Sequence, residues 1–150
     1  MWVFLLIVHG LVSVLLLGAL THQLVSLCWN PRRKGILSRF ASVPSPAFTK
    51  AVTYTYVINF AVGAWIYTHY RYNVKNVLED IGLHVEVGLF ELKEHVAAVA
   101  LLLIPAYWFY WCCVSQDEQR GARIGVTGFL AFSSWLSFLV GHVVNNARGF

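Results

Sequence analysis

The sequence predicts an all-α integral membrane protein: a four-transmembrane-helix, up-down-up-down bundle with a short interfacial helix between helices two and three. Three observations carry that expectation. Of 150 residues, 58% are apolar and only 12% are charged, where a soluble domain carries about 25%. Four stretches, Trp2–Cys28, Val52–Tyr70, Val96–Cys113 and Ile124–Val144, approach the roughly 20 apolar residues that a bilayer core requires. Together they consume most of the chain, so residues 1–150 are expected to form a single membrane domain.

The first stretch starts at Met1 without a basic lead-in or a small-residue cleavage site, and is expected to be a retained helix. The connection from Trp29 to Lys50 is basic and holds Pro31, Pro44 and Pro46, which preclude one continuous helix. Its Arg32, Arg33 and Lys34 suit anionic lipid headgroups. In the second stretch, Asn59 sits between Tyr56 and Gly63, and an amide at that depth is expected to bond to a neighbouring helix. The next connection, 72–94, repeats Val74, Val77, Leu78, Ile81 and Val85 at helical spacing, with Gly82 as a stop. A short helix lying on the membrane surface follows; its Glu79, Asp80, His84 and Glu86 make it a candidate lid.

Pro105 falls in the middle of the third stretch and predicts a bend, since neighbouring helices can absorb the carbonyl it leaves free. Tyr107, Trp108, Tyr110 and Trp111 follow, with the composition of an interfacial anchoring belt. Gly125, Gly128, Ser133, Ser134 and Ser137 give the fourth stretch a small-residue surface for close helix contact.

The net charge of +4 does not point to nucleic acid, because it is distributed by topology. Arg32, Arg33, Lys34, Arg39, Lys50, Arg120 and Arg123 fall on one side of the four-helix path; Arg71, Lys75, Lys93 and Arg148 fall on the other. The richer side is expected to be cytoplasmic, placing the chain in a plasma (inner) membrane with both termini on the non-cytoplasmic side. Cys28, Cys112 and Cys113 then lie toward a reducing compartment, and are expected to be small buried hydrophobes and not disulfides.

Six histidines stand out against this background. Four of them, His9, His69, His95 and His142, lie on separate stretches near the same, non-cytoplasmic face. Intramembrane ionisable groups are costly and tend to be functional, and neutral imidazole is a common metal ligand. Two imidazoles from different helices can hold a heme iron axially, with the porphyrin between helices, as in other bundle cofactor sites. The absence of a C-x-x-C-H motif implies a b-type heme. His9 with His95, on alternate helices, ranks first as the ligand pair; His69 with His142 is the equivalent alternative. Asn145 or Asn146, a turn beyond His142, can orient its ring. Arg71, Lys75 and Arg148 are candidates to neutralise heme propionates. His22, some 140° around the first helix from His9, is expected to be a hydrogen-bonded interfacial histidine, which disfavours a second stacked heme.

The expected function is therefore electron transfer by a heme-b subunit of a larger respiratory or photosynthetic complex, with membrane lipids and other membrane subunits as partners. Two alternatives remain at this level. One is a non-heme iron or copper site built from His9, His69, His95, His142 and Glu91, linked to quinone chemistry. The other is a non-catalytic accessory subunit. H-E-x-x-H, phosphate-binding glycine loops and catalytic triads have no counterpart in the chain.

Overall fold

The computed structural model describes residues 1–29, 35–41, 45–115 and 118–147. Every regular element among them is helical: α1 (Trp2–Cys28), α2 (Ile36–Ala41), a 3₁₀ turn (Ser45–Phe48), α3 (Thr49–Asn73), α4 (Lys75–Asp80), α5 (His84–Leu102), α6 (Ile104–Cys112) and α7 (Arg120–Ala147). Pro31, Arg32, Arg33, Lys34, Pro44 and Arg148 lie outside the described residues.

Four long rods, α1, α3, α5 with α6, and α7, pack side by side; α1 meets α3 and α7, and α5 meets α7 and α3. Two of them, α1 and α7, are long and apolar enough to cross a membrane. The other two fall short for identifiable reasons. α3 carries Asn59, His69 and several Thr and Tyr, and α5 carries Glu86, Glu91, Lys93 and Glu94 before its break.

Local chemistry sets the boundaries. α1 stops where Trp29 turns extended (φ −95, ψ 138), ahead of Pro31. α4 ends in a Schellman motif: Gly82 takes φ +81, its N–H donates to the Glu79 carbonyl (3.0 Å), and the Leu83 N–H donates to the Leu78 carbonyl (2.8 Å). Only glycine adopts that backbone without cost, so the stop expected at Gly82 is present and α5 begins at once with His84. The third rod therefore starts well before Val96. It breaks at Leu103, because Pro105 has no N–H to continue the ladder and its ring crowds the preceding turn.

The interior has two apolar clusters. One joins Leu16, Leu20, Val52, Tyr56, Ile104, Tyr107, Trp111 and Leu130. The other joins Tyr70, Val74, Leu78, Val87, Val140 and Val144 at the end of the rods where Trp2 lies. Along α3, α5 and α7 the clusters are separated by 57–69, 88–99 and 132–139. Outward-facing positions stay apolar: Phe4, Ile7, Leu11 and Leu15 form an exposed stripe on α1. Large exposed apolar surfaces mark contact with membrane or partner chains.

Several aromatic and charged side chains are deeper than their composition suggests. Tyr107 and Trp111, four residues apart and so on one helix face, belong to the core and not to an interfacial belt. Tyr107 Oη donates to Gln23 Oε1, while Gln23 Nε2 donates to the Ser45 carbonyl (3.1 Å). Trp111 Nε1 donates to Thr127 Oγ1 (2.9 Å). Arg123 is 2% exposed; its guanidinium donates to the carbonyls of Tyr110, Val114 and Ser115, capping the end of α6. It is a structural cap and not a surface cation. His22 is buried, edge-on to Phe48 at 5.1 Å. The three cysteines, expected to be buried, are exposed, because each follows the last well-packed turn of its helix.

Replacing Tyr107 by Phe leaves the buried Gln23 carbonyl oxygen without its donor. Denaturant unfolding in micelles should show a loss of about 1–2 kcal/mol, with helix content unchanged at zero denaturant.

Candidate functional site

Between the two clusters lies a cavity of ≈ 530 Å³ reached by all four rods. Each rod presents one face to it at helical spacing. α1 contributes Leu6, His9, Gly10 and Ser13, with Trp2 at the rim. α3 contributes Tyr56, Asn59, Gly63 and Tyr70, with His69 near its end. α5 contributes Phe90, Lys93, Glu94 and Ala97; α7 contributes Ser134, Ser137, Phe138, Gly141, His142 and Asn145.

His9 is the most enclosed of these imidazoles; its Nδ1 is buried and makes no fully formed hydrogen bond among the described residues, although the Asn59 side chain lies close enough to interact with the ring. The ring packs against the backbone of α3 at Gly63, where an added Cβ would come within 3.2 Å of Cε1. One turn further along α1, Asn59 Nδ2 donates to Ser13 Oγ (3.0 Å), and Ser13 Oγ donates back to the His9 carbonyl (2.7 Å). The cross-helix bond expected of Asn59 is thus formed, and it fixes the α1–α3 register that holds His9 in place. Three other lining residues also carry buried polar atoms without a partner among the described residues: Asn59 Oδ1, Tyr70 Oη and Ser134 Oγ.

The histidines do not share one depth. His69 stacks on Trp2 (centroids 4.6 Å apart, 16° between planes), and Asn73 Nδ2 lies 3.1 Å from its Nδ1. Since Gly63 opposes His9 and His69 is six residues further on, His69 lies roughly 9 Å nearer the rim. His142 is closer to the level of His9. It lies nine residues past Ser133, which meets Tyr56 (Oη to Oγ, 3.3 Å), as Gly63 lies seven past Tyr56; the difference is roughly 3 Å. Asn146 Nδ2 stands 3.2 Å from His142 Nε2, so Asn146, not Asn145, holds that ring.

His95 does not line the cavity. It is exposed, with Nδ1 2.7 Å from the Glu91 carbonyl oxygen. Glu91 is also turned away, paired with Lys75 of α4. Glu91 and His95 do share a helical face, as the sequence implies. The face turned inward is the one carrying Phe90, Lys93, Glu94 and Ala97. The pair His9 with His95 is therefore not brought together at this cavity, and His9, His69, His95, His142 and Glu91 do not assemble as one ligand set. Among the described residues no three His, Cys, Asp or Glu side chains converge as a metal site. Two imidazoles can still hold a heme iron. Arg71 is exposed and away from the cavity, and Lys75 is engaged by Glu91 and by Glu79 at 3.7 Å.

The sequence reading passed over Lys93 as a site residue. Its ammonium lies over the Phe90 ring (3.8 Å to the centroid) and pairs with Glu94. The signal was present in the four-residue stripe from Phe90 to Ala97, but periodicity does not say which of two stripes on a helix turns inward.

Comparison with protein-family models, curated proteins and solved structures yields no match. The site is read from its own geometry.

The Lys75–Glu91 pair ties α4 to α5 beside the rim. The hydrogen bond from Lys75 holds the Glu91 carboxyl below the ordinary carboxylate range, and the same bond holds the Lys75 ammonium above its usual value. The depressed carboxyl stabilises the folded clamp above its unfolded pKa, and that contribution is lost as pH falls through the folded value. The raised ammonium contributes below its unfolded pKa and is lost as pH rises through the folded one. Hydrogen exchange of amides 75–80 should therefore show most protection near neutrality, after correction for the intrinsic rate. In Lys75→Met the protection should be lower at neutral pH and flat across the acid range.

Proposed function

We propose that this chain is a membrane-embedded electron-transfer subunit that binds one b-type heme in the cavity, where His9 and His142 are the residues that would hold it. The observation that carries the reading is His9: a half-buried imidazole whose Nδ1 is enclosed and makes no fully formed hydrogen bond, with the Asn59 side chain as its neighbour, in a cavity shared by four rods and approached at a similar height by the exposed His142. Functional cavities are largely apolar with a few convergent polar groups, and this one has Phe60, Phe90 and Phe138 as walls.

The fit to a flat macrocycle rests on glycine. Gly10 and Gly141, next to the two ligands, have nothing within 4 Å of an added Cβ. Both line the cavity, so helix backbone there is open to a planar group. Bound heme would supply reversible one-electron chemistry at iron, held by His9 and His142. Asn59 and Ser13 keep the α1–α3 register and so the placing of His9. Asn146 Nδ2 stands at His142 Nε2 and orients that ring, and would give up this neutral hydrogen bond if His142 held the cofactor through the same nitrogen. Trp2 and His69 form the rim and limit water entry.

In this reading all four rods cross a plasma (inner) membrane, with both termini on the non-cytoplasmic side and α4 at that surface. α1 and α7 are long and apolar enough to span. The exposed stripe of Phe4, Ile7, Leu11 and Leu15 is available to lipid or to other subunits of a respiratory or photosynthetic complex.

Purified protein should show a Soret band and a reduced α-band of b-type cytochromes. His9→Ala should abolish them, His142→Ala should lose or convert them to a high-spin spectrum, and His95→Ala should leave them intact. Colourless protein after expression with excess hemin would refute the proposal; iron or copper in that colourless protein would favour a non-heme centre.

Gly141→Leu fills open space and should leave the fold intact. Heme content should fall at least about 10-fold, because the added isobutyl side chain, about four carbons' worth of volume, occupies the macrocycle's place. Pyridine hemochrome content per polypeptide, measured beside circular dichroism, checks both halves.

A further inference from the structure

We propose that Lys93 is the cation that receives a carboxylate of the cavity's occupant, a heme propionate on the reading above, on which this step rests. Lys93 lines the cavity with its side chain only 13% exposed. It is the sole Lys or Arg among the described lining residues. A cation so enclosed requires an anionic partner, since burying it unpaired is prohibitive.

The partner it has is an unusual one. Glu94 is the next residue, and neighbours i and i+1 on a helix point about 100° apart and do not face each other. The pair forms because both long side chains bend toward the cavity from the same turn. Lys75, by contrast, reaches across to Glu91 on a different helix, and that contact ties two elements together. The Lys93–Glu94 contact ties nothing together: it joins adjacent residues of one turn. It serves as a local resting partner, and an incoming carboxylate of better geometry can replace it.

The position of Lys93 relative to the proposed ligands is consistent with this role. His9 on α1 lies within electrostatic reach of both Lys93 and Glu94. The Phe90 ring beneath the ammonium keeps it aimed along the cavity wall. Arg71, expected from the sequence to meet propionates, is away from the cavity, so Lys93 takes the role that composition alone assigned to the connection.

The experiment compares hemin with hemin dimethyl ester, whose propionates carry no charge, titrated into heme-free full-length protein in nanodiscs. Wild type should prefer hemin by about 10- to 100-fold, the worth of a charge-assisted hydrogen bond in an enclosed site. Lys93→Met should lose that preference by weakening hemin alone, with affinity for the ester unchanged. Lys93→Arg should retain it, which separates charge recognition from packing. If wild type binds both compounds equally, or if Lys93→Met weakens both alike, Lys93 does not read the carboxylate and the heme site stands without it. If wild type binds neither compound, the heme reading falls and this assignment falls with it.

Discussion

The contact between α1 and α3 sets the geometry of the whole cavity end of the molecule. Asn59 of α3 donates to Ser13 of α1, and one turn away the His9 ring lies against the bare backbone of Gly63. Two antiparallel apolar helices have many near-equivalent registers, because leucine and valine pack against one another at any of them. A cross-helix amide bond does not tolerate sliding: a shift of one turn, roughly 5.4 Å, leaves the amide without its acceptor in an apolar setting. The glycine reinforces the choice, since only there can an imidazole meet the backbone of α3 so closely. His9 owes its depth, its burial and its enclosed nitrogen to this register. The stacking of Trp2 on His69 is the same register read almost two turns nearer the rim.

Much of the fold was legible because it follows from local rules. Apolar runs gave the long rods, Gly82 the stop before α5, Pro105 the break after Leu102, and Asn59 a partner on a neighbouring helix. What was not legible depends on how helices turn about their own axes. The spacing of Glu91 and His95 is as good as that of Phe90, Lys93, Glu94 and Ala97. The inward face is chosen by packing of Phe90 on Tyr70 (3.8 Å between centroids) and by the clamp from Lys75 to Glu91. Neither is visible in a periodic pattern. Tyr107 and Trp111 were misread for a related reason: aromatic residues near a helix end suit an interface or a core equally, and the decision rests with Gln23 and Thr127 on other helices.

The common depth expected of the histidines failed in an instructive way. Counting residues from the ends of apolar stretches places each side chain to within a turn or two, which is comparable to the size of the site itself. His69 and His9 both belong to the cavity, yet one forms its rim and the other its interior. Depth becomes exact enough only when a specific cross-helix contact fixes the offset between rods. This is why the similar depth of His9 and His142 emerges from Tyr56 meeting Ser133 and Gly63 meeting His9, and not from the sequence.

The two polar regions of the interior differ in a way that separates structure from function. At the α6 end, Gln23, Tyr107, Trp111 and Arg123 are joined to named partners: an amide to a carbonyl, a phenol to an amide, an indole to a hydroxyl, a guanidinium to three carbonyls. Such a network explains its own presence, since each group is satisfied by another part of the fold. At the cavity, His9 Nδ1, Asn59 Oδ1, Tyr70 Oη and Ser134 Oγ are buried without partners among the described residues, and the lysine there pairs only with its neighbour in sequence. Each unpaired group costs stability that apolar side chains in the same places would not. Thr53 Oγ1, beside Val52 and outside the cavity lining, is a further buried atom without a partner among the described residues, so the two ends differ in degree: four such atoms gather around one open volume, and the proposed ligand site rests on that clustering.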